Sequence, residues 1–175
     1  MIWILSSLFG ALLILFIVLY NRLVRDNHRV LSGWSDIDVQ LKRRHDLIPK
    51  LVDAVKQYAD FEQATLNAVT ELRSRAGNES NAGTRSSLET QLSGSLFSIF
   101  ALAEDYPDLK SNESYLDLQQ EISEVEHDIQ FARRYYNGAV NNLNTRIESF
   151  PDMIVARLLN FKPAEYFELE ETSAP

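Results

Sequence analysis

Cysteine is absent from the 175 residues of this sequence. Its absence excludes disulfide bonds, thiolate metal sites, iron–sulfur clusters and a cysteine nucleophile. Glycine and proline are scarce, at 6 and 5 residues, whereas 45% of the residues are hydrophobic and 24% are charged. This composition argues against disorder and against a turn-rich all-β protein, and the length suits one domain with a short appendage. We therefore expect long helices.

Motifs of common enzyme classes are missing too. The sequence has no Gly-x-x-x-x-Gly-Lys phosphate loop, no Gly-x-Ser-x-Gly nucleophile turn and no dinucleotide-binding fingerprint. Only three histidines occur, and none belongs to a His-Glu-x-x-His zinc motif. The patterns therefore predict no catalytic residue, no metal site and no cofactor.

Charge is distributed unevenly along the chain, whose formal net charge is −8. Residues 1–50 hold 7 basic and 4 acidic side chains, a net charge of +3, whereas residues 51–175 hold 10 and 21, a net charge of −11. An acidic domain repels the phosphates of nucleic acids, so we expect no nucleic-acid partner.

The first 20 residues contain no charged side chain. About 20 apolar residues let a helix cross the hydrocarbon core of a bilayer, so we predict a transmembrane helix over residues 1–21 and a lipid bilayer as partner. Trp3 and Tyr20 lie at its ends, where aromatic rings favour the headgroup layer. Three basic residues that share a helix face follow it, namely Arg22, Arg25 and Arg29. This positive charge predicts an external N-terminus and a cytoplasmic remainder.

A cleaved signal peptide is the alternative interpretation of this segment. It would carry basic residues before the apolar stretch and a small-residue cleavage site after it. Both features are missing from the sequence, so we favour the transmembrane helix.

Between Asn21 and Ala76 apolar residues recur every seven positions, in two columns. The first column is Val30, Ile37, Arg44, Leu51, Tyr58, Thr65 and Leu72, and the second is Trp34, Leu41, Ile48, Val55, Glu62, Val69 and Ala76. This spacing is typical of a coiled-coil helix that packs lengthwise on partners. It predicts one long helix that continues out of the membrane, with a kink near His45 because Pro49 removes a backbone donor.

Further helices follow a loop that begins at Gly77. Ser86 and Glu89 have the spacing of a capping box, which predicts the start of a second helix that ends before Pro107. A third long helix carries apolar residues at steps of seven from Tyr115 to Phe150, and a short fourth helix covers about 152–160. Phe161 and Phe167 are expected to dock after it.

The sequence therefore predicts an all-α protein. Its N-terminal transmembrane helix runs into an elongated antiparallel bundle of three to four helices over residues 22–167. Residues 168–175 form an acidic tail.

Polar residues occupy positions where an apolar side chain would pack better. Arg44, Glu62 and Thr65 interrupt the columns of the first helix, and Gln130, Asn137 and Asn144 flank those of the third. Buried polar groups need hydrogen-bond partners and often fix the register of long bundles, so we predict that these six residues are buried and fix register. Arg44 is expected to pair with a carboxylate on a facing helix, such as Glu126. A water-filled or ligand-binding channel is the alternative.

One apolar stripe predicts self-association. If residues 21–76 form one helix, the second helix returns toward the bilayer, the third runs away from it, and no later helix covers the membrane-proximal stripe. The stripe consists of Val30, Trp34, Ile37 and Leu41. Monomers rarely expose such patches, so we predict a homo-oligomer that packs through this stripe. A bend at Pro49 that folds the stripe onto its own bundle is the alternative.

The stretch WSDIDVQLKRRHDLIP, from Trp34 to Pro49, resembles the signature of the LemA family. YPDLK at 106–110, ARRYYN at 132–137 and FP at 150–151 are similar to later landmarks of that family. The resemblance implies a single-pass protein of the bacterial inner membrane with a cytoplasmic antiparallel helical bundle. It implies no reaction.

These observations predict a non-enzymatic scaffold or adaptor that is tethered to the inner face of a bacterial membrane and binds other membrane proteins. One alternative is a phospho-acceptor or other signalling module, because His45 precedes Pro49 by one turn as in the phosphorylated hairpins of sensor kinases. Glu124 and His127 have the Glu-x-x-His spacing of di-iron bundles, but a second pair is missing and both residues fall on the predicted solvent side.

Overall fold

The computed structural model describes residues 1–57, 63–79 and 81–167, which fold into helices with no strand among them. The helices are α1 (Ile2–Lys56), α2 (Gln63–Asn78), α3 (Ala82–Ala103), α4 (Pro107–Lys110), α5 (Glu113–Glu148) and α6 (Asp152–Leu158). The prediction of an all-α protein is confirmed. The acidic tail at 168–175, Tyr58 and Glu62 lie outside the described residues.

α1 is one uninterrupted helix of 55 residues, about 80 Å long at ~1.5 Å per residue. From Ile2 to Val18 its side chains are exposed, apart from the half-buried Gly10 and Phe16. Leu19 and Leu23 then enter the core, and the buried positions continue at helical spacing to Val55. The N-terminal part of α1 is therefore long and apolar enough to cross a membrane, and it continues into the bundle without a break.

The bundle is built from two helix pairs, α1 with α5 and α2 with α3, which share the most extensive packing. α5 is antiparallel to α1, since Glu126 reaches Arg44 near one end and Arg146 reaches Asp26 near the other. The two backbones approach closely at Gly33, where an added Cβ would lie 3.2 Å from the Cα of Tyr136. A larger residue at position 33 would push α5 away from α1.

The number of chain reversals differs from the sequence prediction. We expected one helix from residue 21 to 76, but α1 ends at Lys56 and α2 begins at Gln63. This additional reversal inverts the direction of every later helix. α3 therefore runs away from the apolar segment and the 36-residue α5 returns to it.

The stripe that was expected to lie open is covered by the chain itself. Val30, Ile37 and Leu41 are buried, and the half-buried Trp34 packs with its ring 5.5 Å from that of Tyr136 on α5. The prediction of an exposed stripe at these residues is wrong, and its physical cause is the missed reversal. The stripe offers no surface for a second copy of the chain, and a bend at Pro49 is not what covers it.

The start of α3 also differs from the prediction. Asn81 is the N-cap, and its side-chain oxygen accepts a hydrogen bond from the backbone N–H of Thr84 at 2.9 Å. Ser86 and Glu89 lie further along the helix and are both buried. The expected capping box is therefore wrong, because Asn81 supplies an equally good cap one turn earlier.

α1 passes through Pro49 and continues to Lys56. Proline has no N–H, so the carbonyl of His45 loses its helical donor. Arg73 of α2 replaces that donor, with its Nε 2.7 Å from the His45 oxygen. The contact ties α2 to α1 at the point where the sequence predicted a kink.

Replacement of Arg73 by methionine is expected to lower the free energy of unfolding by about 1–3 kcal/mol, because it leaves a half-buried carbonyl without a donor. In a Pro49→Ala background the same change should cost much less, since residue 49 then has its own N–H. Denaturant unfolding of the full-length chain in detergent, followed by circular dichroism, measures both costs. Arg75→Met is the control, because Arg75 is exposed and pairs with Glu71 only at 3.8 Å. Equal costs in the two backgrounds would contradict the carbonyl contact.

A strap at residues 161–167 follows α6 and lies along α5. The side chain of Asn144 donates to the Ala164 carbonyl and accepts from its N–H, both at 2.9 Å. Asn137 makes the same two bonds to Phe167, again at 2.9 Å. The Phe167 side chain is fully buried. The side-chain amides of Asn137 and Asn144, seven residues apart on α5, therefore hold the extended strap through two pairs of hydrogen bonds.

Candidate functional site

A fully buried charged side chain, Arg44, joins three helices. Its exposed fraction is 0%, and its Nη1 lies 2.5 Å from both Glu126 Oε1 on α5 and Ser93 Oγ on α3. Its Nη2 pairs with the carboxylate of Glu89 and donates to the Glu89 carbonyl at 3.2 Å. Ser93 closes the ring by donating to Glu126 Oε2 at 3.0 Å. The predicted burial of Arg44 and its pairing with Glu126 are confirmed, and we name this set the Arg44 cluster.

Glu89 links the Arg44 cluster to His45. The His45 Nε2 lies 3.1 Å from Glu89 Oε1, and the imidazole is only 13% exposed. Burial favours the neutral acid, but the hydrogen bond from His45 and the charge of Arg44 outweigh it and lower the pKa of Glu89. The Glu89 carboxylate is therefore ionised and accepts a hydrogen bond from His45 Nε2. The other ring nitrogen of His45, Nδ1, faces away from Glu89.

A shallow polar pocket of about 240 Å³ lies on that other side of His45. Arg73, Ser74, Gly77 and Asn78 of α2 complete its lining. A Cβ at Gly77 would come within 3.6 Å of His45 Nδ1, so the lack of a side chain there keeps the imidazole accessible from the pocket. The arrangement presents a carboxylate-held imidazole beside a guanidinium and a hydroxyl.

Arg133 of α5 is a further buried charge near the Arg44 cluster. Its Nε and Nη2 have no hydrogen-bond partner in the described part of the chain. Its guanidinium lies 4.7 Å from the centre of the Phe167 ring, a cation–π geometry that the strap provides. Burial, and then the charge of Arg44, lower the pKa of Arg133, although a guanidinium stays protonated at any physiological pH.

A second ionic cluster lies where α1 leaves the bundle. Asp26 is 1% exposed and accepts from Arg146 Nε at 2.6 Å and from Arg29 Nη1 at 3.2 Å. Arg146 also reaches Asp152 at the start of α6, at 3.4 Å. The hydrogen bond to Asp26 raises the pKa of Arg146. This cluster connects α1, α5 and α6 next to the apolar segment.

The remaining predicted polar residues are distributed differently. Asn137 and Asn144 are half-buried and hold the strap, and Thr65 is half-buried in α2. Gln130 is exposed, so the prediction that it is buried is wrong. Position 130 follows the buried Ile129 and turns away from α1, whereas the other two amides face the strap. Glu62 lies outside the described residues.

The predicted membrane-interface residues are all on the surface of α1. Trp3 is 87% exposed, and Tyr20 is 41% exposed with its ring 6.4 Å from that of Phe161. Arg22, Arg25 and Arg29 are exposed, although Arg29 also pairs with Asp26. Of these three arginines, Arg29 is the one with a salt bridge among the described residues.

Glu124 and His127 are both exposed on α5, as their pattern predicts. Among the residues that the structure describes, no three metal-ligating side chains gather at one place. Sequence reasoning missed Glu89, Asp26 and Arg133. For Glu89 the available signal was its four-residue spacing from Arg85 and Ser93 along a helix face that also carries Leu92 and Leu96, but the capping-box pattern competed with it.

Glu89 predicts acid sensitivity of the fold. Because its pKa in the folded chain lies below the ordinary value of 4.5, its stabilisation is fully present above the unfolded pKa and is lost as the pH falls through the folded pKa. The denaturant midpoint of the full-length chain should therefore fall as the pH is lowered below the ordinary carboxyl pKa of 4.5. Glu89→Gln should lower the midpoint at neutral pH and reduce its acid slope. An unchanged slope would show that the Glu89 carboxylate is not the responsible group.

Comparison with known proteins finds one matching family and several relatives. A family model described as "LemA family" matches residues 33–175. The chain is 30% identical to "Protein LemA" of Metamycoplasma hominis over 86% of this chain and 69% of that protein. It is also 23% identical to "Magnetosome protein MamQ 2" of Paramagnetospirillum magneticum and 21% identical to "Magnetosome protein MamQ" of Magnetospirillum gryphiswaldense. Both matches cover 85% of this chain and 64% of the MamQ proteins, so the chain spans less than two thirds of their length.

Proposed function

The chain belongs to the LemA family, and from that premise we propose that it is a non-enzymatic scaffold or adaptor tethered to the inner face of a bacterial membrane. The continuity of α1 carries this proposal. The same helix holds the exposed apolar segment and the core of the bundle, so a partner bound to the bundle would stay at a fixed height above the bilayer. A flexible linker could not impose that geometry.

The interior of the bundle supports a structural role. The carboxylates of Glu89 and Glu126 are occupied by Arg44, and Asp26 is occupied by Arg146. Groups that are paired in this way hold helices in register and are not available to abstract a proton from a substrate. The names of the MamQ relatives refer to the magnetosome and to no reaction.

The outer face of α5 offers a surface for a protein partner. A groove of about 360 Å³ is lined by Arg29, Arg134, Tyr135, Gly138, Ala139 and Asn142. Phe131 and Tyr135 beside it are 52% and 53% exposed, and the Arg134 guanidinium lies 4.5 Å from the Phe131 ring. Exposed aromatic and arginine side chains are the residue types that are enriched in protein interfaces. We name this set the outer α5 surface.

Site-specific photocrosslinking in native membranes tests the adaptor role. A photoreactive amino acid at Tyr135 of the full-length chain should give adducts of discrete mass, and Phe131→Ser should weaken them. The matched control places the same amino acid at Glu121, which is exposed on the same helix. Identical adducts from both positions, or none from position 135, would contradict a partner at the outer α5 surface.

The orientation is tested by single cysteines, which are unambiguous labels because the chain has no native cysteine. In intact cells Glu121→Cys should resist a membrane-impermeant thiol reagent, whereas Ile2→Cys should react with it. The basic residues Arg22 and Arg25 motivate this expectation, since positive charge is retained on the cytoplasmic side. Labelling at residue 121 with protection at residue 2 would reverse the topology.

A signalling role for His45 is the second candidate. The observation that favours it is the imidazole held by Glu89 through Nε2, with Nδ1 facing a pocket that contains Arg73 and Ser74. A phosphoryl group on Nδ1 would lie beside the Arg73 guanidinium. Incubation of native membranes with radiolabelled ATP should then give an acid-labile label that His45→Gln removes. The absence of such a label leaves the scaffold as the supported function.

A further inference from the structure

Large apolar side chains are exposed on and around α6, next to the point where α1 leaves the bundle. They are Phe150 at 77%, Ile154 at 57%, Leu158 at 70% and Leu159 at 43% exposed. The opposite side of the helix, with Val155 and Ala156, is buried against the bundle. A seven-residue helix that is apolar on two sides has one partner inside the protein and needs another outside it.

The position of α6 along α1 identifies that second partner. α6 packs against both α1 and α5, and the Phe161 ring just after it lies 6.4 Å from the Tyr20 ring. Phe16, one turn earlier on α1, is already packed against the core. One helical turn is about 5.4 Å, so the α6 region lies within about a turn of the end of the apolar segment. That level is the boundary between hydrocarbon and headgroups if the segment spans a bilayer.

Charge around the α6 region agrees with this position. Arg157 and Lys162 flank it and are exposed, as are Arg22 and Arg25 on α1. None of the four takes part in a salt bridge among the described residues. Basic residues around an apolar surface are typical of helices that lie in the interface of a membrane with anionic lipids.

From this geometry we propose that α6 and its flanking turns form a second membrane contact, in which Phe150, Ile154 and Leu158 enter the interface of an anionic bilayer. The contact rests on the membrane tether of the proposed function. It fixes the bundle at two points, the end of the apolar segment and the α6 face. The bundle therefore stands at a defined tilt and does not rotate freely about α1. Asp26, Arg146 and Asp152 transmit this restraint, because their ionic cluster joins α1, α5 and α6.

Depth-dependent fluorescence quenching in vesicles tests the proposal with the full-length chain. Leu158→Cys is labelled with an environment-sensitive fluorophore and reconstituted in phosphatidylcholine vesicles with or without phosphatidylglycerol. Leu116→Cys is the matched control, an exposed leucine at the far end of α5. Phe9→Cys, within the apolar segment, reports insertion of the anchor. Nitroxide lipids with the quencher near the headgroup should quench the label at 158 several-fold more than the label at 116, and phosphatidylglycerol should increase the difference. Nitroxide lipids with the quencher deep in the acyl chain should quench the label at 9, because position 9 lies near the middle of the apolar segment.

Each outcome is decisive. Quenching at position 9 with equal, weak quenching at 158 and 116 overturns the α6 contact but leaves the tether intact. No quenching at position 9 overturns the tether and the α6 contact with it. If the emission of the fluorophore at 158 reports an apolar environment only when the protein-to-lipid ratio is raised, a second copy of the chain covers this face. That result also overturns the lipid contact. Substitution of Ile154 by serine should reduce quenching at 158 without changing quenching at 9.

Discussion

Replacement of Arg44 by alanine is expected to lower the free energy of unfolding by about 3–5 kcal/mol, because it leaves two buried carboxylates without a cation. Glu89 is 0% exposed and Glu126 is 7% exposed, so bulk water compensates their charges only weakly once the guanidinium is gone. The loss is a large fraction of the total stability of a domain, which is typically about 5–15 kcal/mol. Denaturant unfolding of the full-length chain in detergent, followed by circular dichroism, measures it.

The neighbouring arginine is the matched control. Arg43 pairs with Asp128 at 3.8 Å, and both side chains are nearly half exposed, so Arg43→Ala should cost at most about 1 kcal/mol. The triple variant Arg44→Met, Glu89→Gln, Glu126→Gln should be more stable than Arg44→Ala, since it removes the uncompensated charges. If Arg44→Ala costs no more than Arg43→Ala, the Arg44 cluster does not hold the three helices together.

Replacement of Phe167 by alanine is the second change with a large expected effect, a loss of about 3–5 kcal/mol. Phe167 is fully buried, its ring lies 6.0 Å from that of Trp34, and Arg133 lies over its face. Removal of the ring opens a cavity and takes away the cation–π contact of a buried guanidinium. It also uncovers Trp34, so the Trp34 emission should shift to longer wavelength. The shift is measured in a Trp3→Phe background, which leaves Trp34 as the sole tryptophan.

Tyr166 provides the comparison for Phe167. It precedes Phe167 in the strap, is 45% exposed, and its hydroxyl lies 3.3 Å from the Asn141 side chain. Tyr166→Ala should change stability by no more than about 0.5 kcal/mol, as is usual for surface positions. Equal stability of the two variants and an unshifted Trp34 emission would mean that the strap does not close this part of the core.

The strap and the two ionic clusters bear on function in the same way. Each one joins α1 to helices that follow it in the chain, through Phe167 at Trp34, Glu126 at Arg44 and Arg146 at Asp26. A scaffold that positions partners above a membrane needs this stiffness along its length. The α6 contact would add a second point of attachment at the bilayer.

Local patterns in the sequence were enough for much of the architecture. The run of 20 uncharged residues predicted the apolar segment, because the thickness of a bilayer sets the length that such a helix needs. The spacing of Val30, Ile37 and Leu41 predicted the buried face of α1, because it follows the period of a helix. Residues 113–148 follow the same rule, with Asn112 as N-cap. Arg44 was identifiable because a charge in an apolar column must find a partner. The family was recognisable from a continuous stretch of 16 residues between Trp34 and Pro49.

Tertiary structure alone decided the direction of the later helices. The seven-residue spacing continues in phase across the end of α1, from Val55 to Val69. Periodicity therefore could not reveal the turn between α1 and α2, and that turn reverses the direction of every later helix. That reversal brings α5 back along α1, where it packs against the half-buried Trp34 and buries Val30, Ile37 and Leu41. It also determined what the polar residues do. Glu89 pairs with Arg44 and does not cap a helix, and Asn137 and Asn144 hydrogen-bond to the backbone of the strap. Which groups form hydrogen bonds depends on which residues are close in space, and the sequence alone does not show that.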